Sequence, residues 1–164
     1  MKRIYSVLVE NRSGVLSKVA GLFARRCFNI DSLAVGETDD KEVSCMTIVS
    51  SGDERTIEQI EKQLNKKLDV IKVKTFDEGS SVSRELMLIK VHYNVKSRRE
   101  IMEICEMMRA SIVDMSKNQM MIQFCDVPEK TELLIHMLQT VGIVEVARTG
   151  TLALPKCIDT DRIK

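Results

Sequence analysis

The heptapeptide Glu10–Leu16, ENRSGVL, joins a segment of strand character to one of helical spacing, and a helix that opens there has chemistry to offer. The first amides of a helix lack intrahelical acceptors. Together with the positive end of the helix dipole they receive a carboxylate or a phosphate. Gly14 lets a ligand approach the backbone with no Cβ in the way. Asn11 or Ser13 could instead cap the same amides, and local chemistry alone favours that capping. At the far end of the helix stands Asn29, followed by Ile30. A carboxamide accepts from an ammonium and donates to a carboxylate. Asn is also an ordinary turn residue that tolerates left-handed backbone. If two copies of the chain pair edge to edge, Asn29 of one approaches the Gly14 loop of the other, and an amino-acid site forms across the pair.

Other reactive side chains form no catalytic set. The two histidines, His92 and His136, have no Cys, Ser or Asp partner at a recognisable spacing. No phosphate-binding glycine loop, nucleophile-elbow motif or metal-ligand pair occurs. Arg12 and Asn29 resemble, superficially, the Arg and Asn of acylphosphatases, but the surrounding loop does not match. Cys27, Cys45, Cys105, Cys125 and Cys157 are odd in number and none are spaced Cys-x-x-Cys. That implies free thiols in a reducing cytosol. Four of the five lie in apolar patterns, where a free Cys packs as a small hydrophobe.

The elements that must position these residues follow from periodicity. Ile4–Val9 reads as a strand buried on both faces. Val15, Leu16, Val19, Ala20, Phe23 and Ala24 recur at helical spacing. Ile30–Val35 and Glu42–Ser50 are strands closed by the turn at Thr38-Asp39-Asp40. Asp53 caps a helix with the stripe Ile57, Ile60 and Leu64. Asp69–Phe76 alternates Val/Ile with Lys, a fourth strand. Residues 78–84 read as a linker. The pattern then repeats: strand Glu85–Tyr93, helix opened by a capping box at Ser97–Glu100, hairpin Ser111–Met115 and Gln119–Cys125, helix from Pro128, strand Ile143–Ala147. Residues 149–164 read as a tail.

The order βαββαβ, twice, makes the chain α+β, with two ferredoxin-like sandwiches at 1–77 and 85–164. Each is expected to leave one sheet face and its edges without cover, which invites pairing with another chain. With 25 basic and 24 acidic residues the charge nearly cancels, so no broad footprint for nucleic acid or a membrane surface exists. RNA binding on such a sheet needs exposed aromatics, and the strands offer only Tyr5, Tyr93 and Phe124 in aliphatic surroundings. No apolar run approaches the ~20 residues of a membrane span, and the short apolar run after the basic N-terminus does not read as a signal peptide.

The stretches SVLVENRSGVLSKVAGLFARRCFNIDSLAVGETDD, DERTIEQIEKQL, RELMLIKV, IVDMS and VEVARTGTLAL, in this order, resemble the small regulatory subunit of acetolactate synthase (acetohydroxyacid synthase) over residues 3–155. The first half resembles an ACT domain, an amino-acid-sensing module. The resemblance implies a chain without a catalytic site and without cofactors of its own. Thiamine diphosphate, Mg and FAD would belong to the large catalytic subunit, which joins two pyruvates, or pyruvate and 2-oxobutyrate, in branched-chain amino-acid synthesis. The small subunit would activate that cytoplasmic partner and confer feedback inhibition, typically by valine. The effector would lie between two ACT domains, its carboxylate near Asn11, Gly14, Val15 and Leu16 of one chain, its amino group and side chain near Asn29 and Ile30 of the other. A free-standing ACT-type sensor without an enzyme partner is the other function this pattern admits. The sequence departs from the family at Cys27, where the pattern has Gly. Keeping a left-handed cap there with Cys costs ~1 kcal/mol, and the identity of the branched-chain effector stays open.

Overall fold

The computed structural model describes residues 1–77 and 79–157, which form two compact units. The first comprises Met1–Val82 and the segment beginning at Thr151; the second is Ser83–Gly150.

The first unit runs β1 (Lys2–Glu10), α1 (Val15–Arg25), β2 (Ser32–Glu37), β3 (Val43–Ser51), α2 (Glu54–Leu64) and β4 (Val70–Phe76). Its antiparallel sheet has the order β2-β3-β1-β4. Register decides which residues share a face. Tyr5 lies opposite Ile48 and Thr75, and Val7 opposite Met46 and Val73. These residues and Val9 turn to the helices and pack on Val15, Val19, Leu22 and Phe23 of α1 and on Ile57, Ile60 and Leu64 of α2. Each fully buried aliphatic side chain here stabilises the fold by about 1.5–3 kcal/mol. The Tyr5 hydroxyl donates to the Ile57 carbonyl at 3.4 Å, and burial pushes its phenol up to about 12.

The second unit repeats the plan with β5 (Ser81–His92), α3 (Ser97–Met108), β6 (Ser111–Met115), β7 (Gln119–Asp126), α4 (Pro128–Leu138) and β8 (Ile143–Arg148), in the order β6-β7-β5-β8. Met87, Ile89, Val91, Met120, Ile122 and Phe124 face Ile101, Ile104, Cys105, Leu134 and Leu138 of its helices. Tyr5 and Phe124 are thus buried beneath helices, not displayed on a sheet face, and the base-stacking surface that RNA binding needs is not built from them.

The structure corrects four expectations. Residues 81–84, read as linker, are the first part of β5. Within the expected tail, Leu152–Pro155 forms a further strand, β9, which pairs with β5, and Lys156 N donates to Ser80 O at 3.1 Å. The rest of that tail, 158–164, lies outside the described residues. The face of the first sheet away from the helices, expected bare, is largely covered. Ser6, Ala34, Thr47, Val49 and Phe76 all lie on it by register and are buried. β9 neighbours β1; Thr151 just before it and Ala153 within it are buried, and Leu152 and Leu154 are exposed. At α3, the capping box does not form. Asn94 Oδ1 takes the amides of Lys96 and Ser97 at 2.9 and 3.0 Å, because the helix begins one residue earlier than the Ser97 cap required.

The five cysteines are free thiols. Cys105 is buried, which pushes its thiol up, and Cys45 is half-buried. Cys27 and Cys125 are exposed, so the small-hydrophobe reading does not hold for them. No helix among the described residues is long and apolar enough to cross a membrane.

Candidate functional site

The loop between β1 and α1 is held from two sides, by the residue before β4 and by the β2–β3 hairpin. Glu10 N donates to Asp69 O at 3.0 Å and Asn11 N to Glu42 O at 2.7 Å. The Asn11 carboxamide reaches across to the β2–β3 hairpin, donating to Lys41 O at 2.8 Å and to Glu37 Oε1 at 3.2 Å. Asn11 is therefore spent on the hairpin and does not cap α1, and Ser13 does not cap it either. Gly14 is the residue before the helix, with φ +84°. A Cβ there would meet open space, so glycine is required by the left-handed backbone and not by crowding.

The consequence is a helix start with free donors. The first intrahelical bond runs from Lys18 N to Gly14 O at 3.0 Å, and Val15 N reaches Arg12 O only at 3.4 Å. The amides of Leu16 and Ser17 find no acceptor among the described residues. The side chain of Val15 is buried in the core, so only its amide faces the loop, while Leu16 is 43% exposed. No acidic residue sits in the first turn. Lys18 is engaged by Asp69 at 2.8 Å, and that hydrogen bond holds the Asp69 carboxyl below the usual carboxylate range. Arg12 lies 3.3 Å from Glu10 and is otherwise exposed.

The other end of α1 is closed by its own backbone. Phe28 N donates to Phe23 O at 3.0 Å and Cys27 N to Ala24 O at 3.2 Å, the paired bonds of a Schellman motif. Cys27 takes the left-handed conformation this requires, with φ +55°. The cap geometry that favours Gly is thus kept with Cys. Next in the chain, Asn29 is exposed and Ile30 half-buried against the core. Asn29 O accepts from Ser50 Oγ at 2.6 Å, and Asn29 Nδ2 donates to Asp31 Oδ1. Asp31 also accepts from Ser51 Oγ. With its nitrogen engaged, Asn29 presents its carboxamide oxygen, an acceptor suited to an ammonium.

Of the residues singled out from sequence, Asn11, Gly14, Val15 and Leu16 gather at one end of α1, and Asn29 and Ile30 at the other. A helix of 11 residues rises about 16 Å. One chain therefore cannot bring both groups to a single amino acid. The same separation keeps Arg12 from Asn29 and removes the acylphosphatase-like pairing. Sequence reasoning missed Asp31, Ser50 and Ser51, which orient Asn29. A carboxylate two residues after Asn29 was the available signal for Asp31. Among the described residues no three His, Cys, Asp or Glu side chains gather as a metal would need.

Comparison with known proteins places these observations. Residues 84–157 match the family described as "Small subunit of acetolactate synthase", and residues 5–72 match "AHAS small subunit-like ACT domain". The chain is 48% identical over 154 residues to the probable acetolactate synthase small subunit of Archaeoglobus fulgidus, covering 94% of this chain and 96% of that one. It is 43% identical over 157 residues to the acetolactate synthase isozyme 3 small subunit of Salmonella typhimurium, covering 95% and 96%. The crystal structure of the acetolactate synthase small subunit from Thermotoga maritima superposes with a TM-score of 0.90 at 39% identity, covering 97% of this chain and 99% of that one. Two family matches in chain order, relatives matched over nearly their whole length and a shared double-sandwich fold lead to one assignment: this chain belongs to the family of acetolactate synthase small subunits, the regulatory component of that enzyme and not its catalytic one.

Proposed function

We propose that this subunit binds valine between the first units of two copies, activates the large catalytic subunit of acetolactate synthase, and transmits valine as feedback inhibition. The observation that carries the reading is the separation of two half-sites by α1. One half offers uncapped amides at Leu16 and Ser17 beside left-handed Gly14, suited to a carboxylate. The other offers the oriented oxygen of Asn29, suited to an ammonium, with Ile30 beside it for an apolar side chain. An amino acid carries both charges a few ångströms apart, so it unites the half-sites only if a two-fold partner lays the end of its own α1 against the start of this one.

The edges of the first sheet support that pairing. β4 carries exposed Lys72 and Lys74, residues that guard an edge against further strands. β2 carries Ala34, Val35 and Gly36 and no charge before Glu37, so it is the edge available to a second copy. Valine then acts by favouring one arrangement of a pre-existing equilibrium, and the large subunit must alter valine affinity by the same factor. Sensing then belongs to the first unit and activation to the second, Ser83–Gly150.

Mixing two inactive variants tests the cross-chain site. Gly14→Asp and Asn29→Ala are each expected to bind no valine in calorimetry. In an equimolar mixture that has exchanged subunits, roughly a quarter of the sites regain both intact halves, one per mixed dimer. Recovery of binding on mixing supports the shared site. A mixture as inactive as its components, with both variants folded and dimeric, overturns it. Titration of the reconstituted holoenzyme with valine, leucine and isoleucine then identifies the effector.

A further inference from the structure

The structure also contains a contact that ties the Asn29 half-site to the C-terminal segment. The backbone of residues 29–32 is fastened to β3 by Ser50 Oγ donating to Asn29 O, by Asp31 N donating to Val49 O at 2.8 Å, and by Ser51 Oγ donating to Asp31. Ser32, the first residue of β2, adds a fourth fastening from a remote part of the chain. Its hydroxyl accepts the amide of Thr151 at 2.8 Å. Thr151 is 5% exposed, so this amide has no water to turn to if the hydroxyl is removed.

The chain reaches Thr151 through a short constrained step. Thr149 is bound to Leu86 twice, its amide donating to Leu86 O at 3.0 Å and its hydroxyl accepting Leu86 N at 3.2 Å. Gly150 follows with φ +81°. Thr151 then meets Ser32, and β9 continues over β1 with Ala153 buried. The face beneath is mixed: Ser6, Ala34 and Thr47 share it with Val49 and Phe76. The Thr151–Ser32 hydrogen bond joins the N-terminal end of this segment directly to the first residue of β2, three positions from Asn29.

We propose that the Thr151–Ser32 hydrogen bond is a latch by which β9 sets the competence of the effector half-site at Asn29. The inference rests on the effector reading above. With β9 seated, the start of β2 is fixed and Asn29 is held against Asp31. With β9 released, the same four residues lose one of their fastenings. Apparent effector affinity is the intrinsic affinity scaled by the fraction of molecules in the seated state. By reciprocity, effector binding seats β9 more firmly.

Calorimetry and amide hydrogen exchange on the full chain test the latch, with valine as the probe. In the wild type, valine slows exchange at residues 151–155 relative to β1 and β3. Ser32→Ala weakens valine binding about tenfold, as expected when a buried donor loses its partner, and removes the valine-dependent change at 151–155. Ser32→Thr, which keeps the hydroxyl, restores both. Wild-type exchange at 151–155 that is indifferent to valine overturns the latch, whatever the stability of the variants. So does a folded Ser32→Ala with wild-type affinity, since a merely structural bond would alter stability and leave affinity in place. A wild type that binds neither valine, leucine nor isoleucine overturns the effector reading itself, and the latch with it.

Discussion

Phe23 and Phe28 meet edge to face across the end of α1, ring centroids 6.2 Å apart and planes at 82°. They are the two residues joined by the wider-spanning bond of the Schellman closure, from Phe28 N to Phe23 O, so one motif supplies both the hydrogen bond and the apolar contact that accompanies it. This pair sets where the chain leaves the helix and hence where Asn29 emerges. Cys27, between the end of the helix and Phe28, holds a positive φ that a side chain disfavours. The second unit closes α3 in the same way. Ala110 N donates to Cys105 O at 2.8 Å and Arg109 N to Glu106 O at 3.2 Å, with Arg109 at φ +57°. Cys27→Gly is expected to raise stability by about 1 kcal/mol, and Arg109→Gly by a similar amount, since the strain of left-handed backbone is relieved in each. Urea unfolding measures both. A lowered midpoint in Cys27→Gly would mean that the thiol contributes more than the strain removes.

Gly14 separates two effects that a single substitution would confuse. Gly14→Asp places a negative charge where the proposed carboxylate sits and also strains the backbone. Gly14→Asn strains it less, because Asn tolerates left-handed φ, and adds no charge. Since a Cβ at this position meets open space, both variants are expected to fold, with a stability loss of about 1 kcal/mol or less. Valine binding should vanish in Gly14→Asp and persist, weakened, in Gly14→Asn. Equal loss in the two would assign the defect to backbone shape and remove the electrostatic part of the argument.

The double βαββαβ plan was legible because each strand and helix repeats its own period and turn residues divide them. β9 was not legible, for a definable reason. Thr151 just before it and Ala153 within it are buried while Leu152 and Leu154 are exposed, so its apolar pattern points away from the surface it covers. The surface it covers mixes Ser6, Ala34 and Thr47 with Val49 and Phe76, so no continuous apolar stripe marks it. The free amides of α1 were hidden by the opposite problem. Asn11 and Ser13 are both good caps in isolation, and only the non-local bond from Asn11 to Lys41 O shows that Asn11 is used elsewhere. The start of α3 failed for a one-residue shift, with Asn94 and Ser97 both chemically able to cap.

Arg148 and Glu85 form the most buried ion pair of the second unit. Glu85 is 3% exposed and accepts both Nε and Nη2 of Arg148, at 2.9 and 2.7 Å, while Nη1 reaches Glu132. The hydrogen bond to Glu85 is the main cause that pushes the guanidinium further up from its already high value. Arg148→Met should destabilise the chain by about 3–5 kcal/mol, because it leaves a carboxylate buried without a partner. The double variant Arg148→Met, Glu85→Leu should recover most of that loss, since an apolar pair of similar volume removes the desolvation penalty along with the attraction. Urea unfolding of these two variants and of Glu85→Leu alone gives the coupling. Equal loss in the single and double variants would indicate that the pair stabilises by more than satisfying itself.

Acid stability follows from three carboxylates held below their ordinary range. Hydrogen bonds from Thr56 lower Asp53 at the start of α2, the hydrogen bond from Lys18 lowers Asp69, and that from Lys130 lowers Asp126 at the start of α4. In each case the unfolded chain binds the proton more readily than the folded one, so stability rises with pH through the interval between the two values. The contribution is complete above the unfolded value near 3.9 and is lost as pH falls through the lower folded value. Asp53 is exposed and Asp69 and Asp126 are half-buried at the surface beside exposed lysines, so each effect is modest and salt-screened. The urea midpoint should therefore stay level on this account down to about pH 4 and fall below it. Asp53→Asn isolates one share, because Asn caps a helix as well as Asp and does not titrate. It should match the wild type near neutrality and lose stability less steeply on acidification. An unchanged slope would remove Asp53 from the acid response and leave it to the two lysine-paired carboxylates.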